Sequence, residues 1–191
     1  MGIGLTTWDW NSWNTYNGNY AITPCGYTNE FGNFSGVKAI YLQSPEKTLY
    51  ANRWRGFENP FGDIWTNLEG IVIKRDAAKA NSNVYTTIDV SKYGDDYSLF
   101  DIAGVEIAQD GYIGKFDLGS KAEIIPSSIT GSESTYKCDY HSCNADLVEK
   151  RVLLVGSDAC IGGLAGLGCF LSDFGVGNAT ANVGFRSLVR V

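Results

Sequence analysis

The sequence predicts an α+β domain, rich in loops and antiparallel sheet and poor in helix. Three observations carry that reading. Glycine occurs 23 times, aromatic residues make up 13 % of the chain, and Asn-Gly, Gly-Asn, Asp-Gly and Gly-Asp pairs recur, which is turn chemistry. Short β-branched or aromatic runs bounded by those turns read as strands. Segments of helical period are scarce.

Taken along the chain, the expected strands are GVKAIYLQ (Gly36–Gln43), GIVIKRD (Gly70–Asp76), NVYTTIDV (Asn83–Val90) and RVLLVG (Arg151–Gly156). The best helix candidate is Asn59–Glu69, where Phe61, Ile64, Trp65 and Leu68 recur at helical spacing. In EIAQDGYIGKFDLG (Glu106–Gly119), Asp110-Gly111 between two apolar runs predicts a hairpin turn. No Pro- or Ser-rich linker, charge block or internal repeat divides the chain, so its 191 residues are expected to form one domain, 1–191.

Composition narrows the function classes. Fifteen basic against 21 acidic residues give a net charge of −6, and the basic residues never cluster, which argues against a nucleic-acid footprint. Residues 1–24 are polar and aromatic, with Trp8, Trp10, Trp13, Tyr16 and Tyr20, and lack the charged start and apolar run of a signal peptide. They suit a subunit interface, an attachment point or a domain-edge cap. The longest apolar stretch, Ala159–Leu171, is too short and too glycine-rich for a membrane helix. A soluble chain without membrane insertion is expected.

Chemistry-bearing constellations are sparse. Cys138 and Cys143 flank the one histidine, His141, in CDYHSC, while Cys25 stands apart. That spacing is not a standard zinc pattern and the second Cys-x2-Cys half is missing, so buried thiols beside a surface histidine are expected, with no metal. An odd cysteine count argues against a disulfide framework. No Gly-x-Ser-x-Gly elbow, phosphate loop or cofactor signature occurs, and carboxylate neighbours such as Asp95-Asp96 and Asp76 beside Arg75 read as solvated charges in turns.

The stretch GSDACIGGLAGLGCFLSDFG (Gly156–Gly175) is the anomaly: glycine-rich, apolar, and free of lysine and glutamate. Around it lie RWRGFENPFGDIW (Arg53–Trp65), RVLLVGSD (Arg151–Asp158) and the closing NATANVGFRSLVRV (Asn178–Val191). In this order and spacing the three motifs resemble the framework of the C-type-lectin-type fold shared by formylglycine-generating enzymes and the variable proteins of diversity-generating retroelements. CGYTNEFGNFSG resembles the upstream part of relatives from gut-bacterial phages. The resemblance covers about Arg53–Val191 and implies a C-type-lectin-type fold; read from the residues themselves, Trp65 and Phe185 are core aromatics and Arg186 a buried-edge ion pair.

Two branches follow from the resemblance. The enzyme branch oxidises a substrate cysteine with a cysteine pair, for which Cys160 and Cys169 are the candidates, but they do not fall in that branch's motif. In the binding branch, adenine-directed randomisation of template codons never yields Lys, Glu, Gln, Met or Trp. All 25 such residues lie among the 161 residues outside 156–185, and at that density the thirty residues of the segment would hold about five. A segment of small, buried residues shows a similar depletion. On the binding reading, Gly156, Gly162, Ala165, Gly166 and Leu167 are fixed framework. Asp158, Ala159, Cys160, Ile161, Gly163, Leu164, Phe170, Ser172, Asp173 and Phe174 are displayed to a ligand.

The resemblance therefore implies a phage receptor-binding protein of a tail or head fibre, located in the virion and assembled in the host cytoplasm. Its expected partners are a bacterial surface receptor, glycan or protein, other virion proteins, and two further copies in a homotrimer. No catalysis and no cofactor are expected, and no calcium, because the Glu-Pro-Asn triplet of calcium lectins is absent. The alternatives are a structural virion decoration and a formylglycine-generating-type cysteine oxidase.

Overall fold

The computed structural model describes residues 26–43, 46–136, 139–158, 164, 166–178, 180 and 183–184, with the backbone alone over 42–43 and 46–49. In chain order the first strands are β1 (Gly36–Gln43), β2 (Glu46–Trp54), β3 (Phe57–Glu58), β4 (Trp65–Lys74), β5 (Ser82–Thr86) and β6 (Asp101–Glu106). They are followed by β7 (Gly111–Tyr112), β8 (Lys115–Leu118), β9 (Ile124–Ser128) and β10 (Tyr140–Ser142). The last are β11 (Lys150–Val155), β12 (Phe170–Leu171) and β13 (Val183–Gly184). Among the described residues the helical elements are three single 3-10 turns, Asn29–Phe31, Val90–Lys92 and Tyr97–Leu99.

Three sheets result. β1, β2 and β3 form an antiparallel meander in register from Gly36↔Arg53 to Gln43↔Glu46. β8 and β9 pair separately, through Leu118↔Ile124. The large sheet runs β6-β5-β4-β11-β12-β10-β7, with β13 added beside β4, and it curls into a half-barrel. Most of its ladders are antiparallel, but β10–β12 and β4–β13 are parallel.

Both faces of that sheet are packed. Successive strand residues point to opposite faces, so on β11 Leu153 joins one cluster with Ile73, Val84, Ile113, Ile125 and Phe170. Leu154, its neighbour, joins another with Trp65, Cys169 and Leu171. The run VLLV (Val152–Val155) is therefore continuous in hydrophobic character because both sides are covered.

The α+β expectation is overturned. Among the described residues strands hold 44 % and helical turns 7 %, and no helix reaches seven residues; the architecture is mostly β, not the α+β C-type-lectin-type arrangement. The helix expected over Asn59–Glu69 is instead a turn followed by β4. Asn59 (φ 46°) and Gly62 (φ 68°) take left-handed conformations that no α-helix accommodates. Asn59 is fixed there because its amide donates to the Asn52 carbonyl (2.6 Å) and its Oδ1 accepts from the Asn52 amide (3.0 Å). Phe61 and Trp65 are buried as the helical spacing implied, but through a turn and a strand start. The Asp110-Gly111 hairpin is also absent. β6 pairs with β5, β7 with β10 and β8 with β9, so the chain changes partner on each side of the turn. Asp110 anchors that change by accepting the Cys143 amide at 2.7 Å.

The expected strand Gly36–Gln43 is β1, and the other three overlap β4, β5 and β11, with Arg75 and Asp76 beyond β4, Thr87 to Val90 beyond β5 and Gly156 beyond β11. No helix among the described residues is long and apolar enough to cross a membrane. The aromatic stretch 1–24, Cys25, Cys138, Phe185 and Arg186 lie outside the described residues.

Candidate functional site

The motifs quoted around the glycine-rich stretch meet in space. Gly62 donates its amide to the Gly156 carbonyl at 2.9 Å, and Asp63 and Asp158 form a parallel bridge just beyond. Gly156 sits at φ 83°, and a Cβ there would stand 2.6 Å from the Pro60 carbonyl oxygen, so glycine is required both by conformation and by the close approach. At the other end of the stretch, Val183 pairs with Trp65 and Gly184 with Thr66. Between these, β12 pairs with both β11 (Val155↔Phe170) and β10 (His141↔Phe170), and the Val152 amide donates to the Phe174 carbonyl at 3.1 Å. The stretch is thus pinned to the central sheet at its start, middle and end.

Pinning decides what is displayed. Asp158, Phe170 and Ser172 are interior residues at 1 %, 6 % and 0 % exposure, so the expectation that these side chains face a ligand is corrected. The reason is the packing of both sheet faces: Phe170 and Leu171 point opposite ways, and each way leads into a hydrophobic cluster. Leu164, Asp173 and Phe174 are half-buried, with Phe174 against the second cluster. Ala159, Cys160, Ile161 and Gly163 lie outside the described residues. Leu167, assigned to the fixed framework, is instead 41 % exposed, and Gly177 and Thr180 are exposed as well.

Beneath the stretch lies a buried polar network that sequence reasoning missed. Glu106, His141, Arg75, Arg151, Ser82 and Ser172 all have 0 % exposure. Glu106 Oε1 accepts from the Ser172 hydroxyl and faces His141 Nε2 at 2.9 Å, while Oε2 lies 3.6 Å from the Arg151 guanidinium. His141 Nδ1 donates to the Gln109 carbonyl (2.8 Å), so both ring nitrogens have partners inside the protein. Arg151 further donates to Ser82 Oγ (2.6 Å) and the Cys143 carbonyl, and Arg75 to the carbonyls of Cys143 (3.2 Å) and Asn144 (2.5 Å).

With both ring nitrogens engaged inside the protein, His141 is neither the surface histidine expected nor placed as a metal ligand. Among the described residues no group of three His, Cys, Asp or Glu side chains is arranged to hold a metal. The sequence signal for the network was a charge adjoining or ending a strand run, at Arg75, Glu106 and Arg151. Read locally, such charges are solvated; here each bonds to partners distant in sequence.

Cys143 and Cys169 are buried free thiols. Burial pushes each up to about 12, with the Glu106 carboxylate adding to the effect at Cys143 and Asp139 at Cys169. Asp173 is also pushed up, first by burial and then by the neighbouring Asp110.

A cavity of about 470 Å³ lies against the half-barrel sheet, between it and the β8–β9 pair. Val84, Ile125, Leu153 and Phe170 line its interior, and Ile124 and Leu167, exposed at 61 % and 41 %, stand on its lining as well. Its polar side chains are Thr86, Glu123 and Asp139. Thr86 donates its hydroxyl to Glu123 Oε1 at 2.6 Å, and the Lys121 amide donates to Oε2 at 2.8 Å. Desolvation pushes the Glu123 carboxyl up, but these donors and the Lys121 charge outweigh it and hold it below the usual carboxylate range. Asp139 accepts the Gly168 amide at 3.2 Å, which joins the cavity wall to the pinned stretch.

No protein-family model, no curated protein and no solved structure matches this chain.

Proposed function

We propose that this chain is a receptor-binding protein of a phage virion, presenting the tips of the stretch 156–185 to a receptor on the host surface. The observation that carries the reading is the pinning of that stretch at three places on one sheet. A surface held this way loses little conformational entropy on binding. The compositional gap in Lys, Glu, Gln, Met and Trp over the same residues supports it. Exposure moves the displayed set outward, from Phe170 and Ser172 to positions such as Leu167, Gly177 and Thr180.

Assembly with other virion proteins or with further copies belongs to the same reading. Support comes from the meander of β1–β3, whose exposed Tyr41, Trp54 and Phe57 give it an apolar, aromatic surface of the kind partners cover. The cysteine-oxidase alternative is disfavoured by Cys169, whose buried thiol is held protonated at neutral pH.

Cell binding tests the proposal. The labelled chain is titrated onto intact gut-bacterial cells of a panel of strains, alongside Gly177→Glu and Thr180→Glu. A Cβ at Gly177 meets no atom within 4 Å, so the fold tolerates the change. Saturable binding to particular strains, weakened about tenfold or more by these substitutions with an unchanged melting temperature, is the expected result. Binding that both variants retain in full, or no strain-dependent binding, refutes it.

A further inference from the structure

The half-barrel cavity is not needed by the adsorption reading, and it has the properties of a ligand site in its own right. Its volume of about 470 Å³ lies within the ~300–1,000 Å³ that small-molecule pockets span. An interior lined by Val84, Leu153 and Phe170 contributes desolvation but no direction. Direction comes from the few polar groups, and those are of one kind. Glu123 and Asp139 are both carboxylates, Thr86 already spends its proton on Glu123, and no lysine, arginine or histidine lines the cavity. Glu123 is held ionised by its donors, and an ionised carboxylate has about four lone-pair sites, two of which Thr86 and Lys121 use here. Ile124 and Leu167, large apolar side chains left exposed on the same lining, would favour an apolar body entering past them.

We infer that the cavity binds a compact apolar molecule bearing a cationic amine head, its body among the aliphatic side chains and its ammonium on Glu123. An apolar carboxylate of equal length is disfavoured, because its head would meet two carboxylates and no cation within the lining. This inference is independent of whether the chain is a receptor-binding protein.

The test uses the purified chain and N-phenyl-1-naphthylamine as a fluorescent reporter of the apolar interior. Decylamine and decanoate, both below their micellar concentrations, then compete for it. Saturable reporter uptake is expected, with decylamine displacing it at about tenfold lower concentration than decanoate, the span of one charge-assisted hydrogen bond. Glu123→Gln removes the amine preference. Ile124→Lys, a change at an exposed position, brings in the missing cation and shifts preference toward decanoate. Glu30→Gln, the same charge change on the 3-10 turn before β1, leaves the ratio as it was. Val155→Trp fills the cavity and abolishes uptake; should it fail to fold, Ile124→Lys decides alone. No saturable uptake, equal competition by the two amphiphiles, an unmoved ratio in Ile124→Lys, or an equal shift in Glu30→Gln overturns the inference.

Discussion

Replacing Phe170 with alanine separates an interior side chain from a displayed one. Phe170 is 6 % exposed on β12, shares a cluster with Ile73, Val84, Ala103, Ile113, Ile125 and Leu153, and lies tilted against His141 at 5.5 Å between ring centres. Truncation of a buried phenylalanine costs about 3–5 kcal/mol. One side of this ring borders the half-barrel cavity and has fewer atoms to lose, which places the expected cost near 3 kcal/mol. For a chain of this size each kcal/mol moves the melting temperature by about 2–4 °C, so a drop of roughly 6–12 °C is expected. Phe174, half-buried against the second cluster, should lose about half as much on the same change. Thermal and urea unfolding of the two variants give the comparison. A melting temperature for Phe170→Ala within about 2 °C of the parent would show that its ring is not packed as described and return it to the displayed set.

Two further outcomes follow from the buried groups. Glu106→Ala removes the acceptor shared by Ser172 and His141 and the counter-charge of Arg151, and should destabilise by about 3–5 kcal/mol in urea titration, with Glu106→Gln recovering part of the loss. Equal stability of the parent and the alanine variant would dismiss the network as a structural element. For the thiols, folding raises Cys143 and Cys169 from near 9 to about 12, so the folded chain keeps protons that the unfolded chain has shed. Their contribution is complete below about pH 9 and is lost as the pH rises toward 12. The urea midpoint should therefore fall between pH 9 and 10.5 more steeply in the parent than in a Cys143→Ala/Cys169→Ala variant, and parallel curves would contradict the assignment.

How much was legible in the sequence depended on the range of the interactions. Gly36–Gln43 was read correctly to the residue, because strand and turn signals there are local. Asn59–Glu69 misled because Phe61, Trp65 and Leu68 are spaced as on a helix, while the left-handed Asn59 that forbids one is fixed by Asn52 on another strand. Phe170 and Ser172 looked displayed because β12 is two residues long and carries no period of its own. Its burial is imposed by β11 and β10, which flank it on both sides. The charges of Glu106, Arg75 and Arg151 were opaque for the same reason, their partners lying far along the chain. The cavity has no sequence pattern at all, since its wall is assembled from β4, β5, β8, β9, β11 and β12.

The pairing of β13 with β4 has a consequence for how the molecule is made. Trp65 and Thr66 find their parallel partners only at Val183 and Gly184, while on that flank of β4 it is Ile71 to Lys74 that pair with β5. A ribosome-bound chain can therefore zip β4 to β5 early and to β11 later. The first residues of β4 stay bare on one edge until residue 184 has emerged. Such long-range closure is slow, and an open strand edge is a template for pairing with a neighbouring nascent copy. Synthesis rate and chaperone access at that stage, more than the final stability, should set the yield of correctly assembled protein.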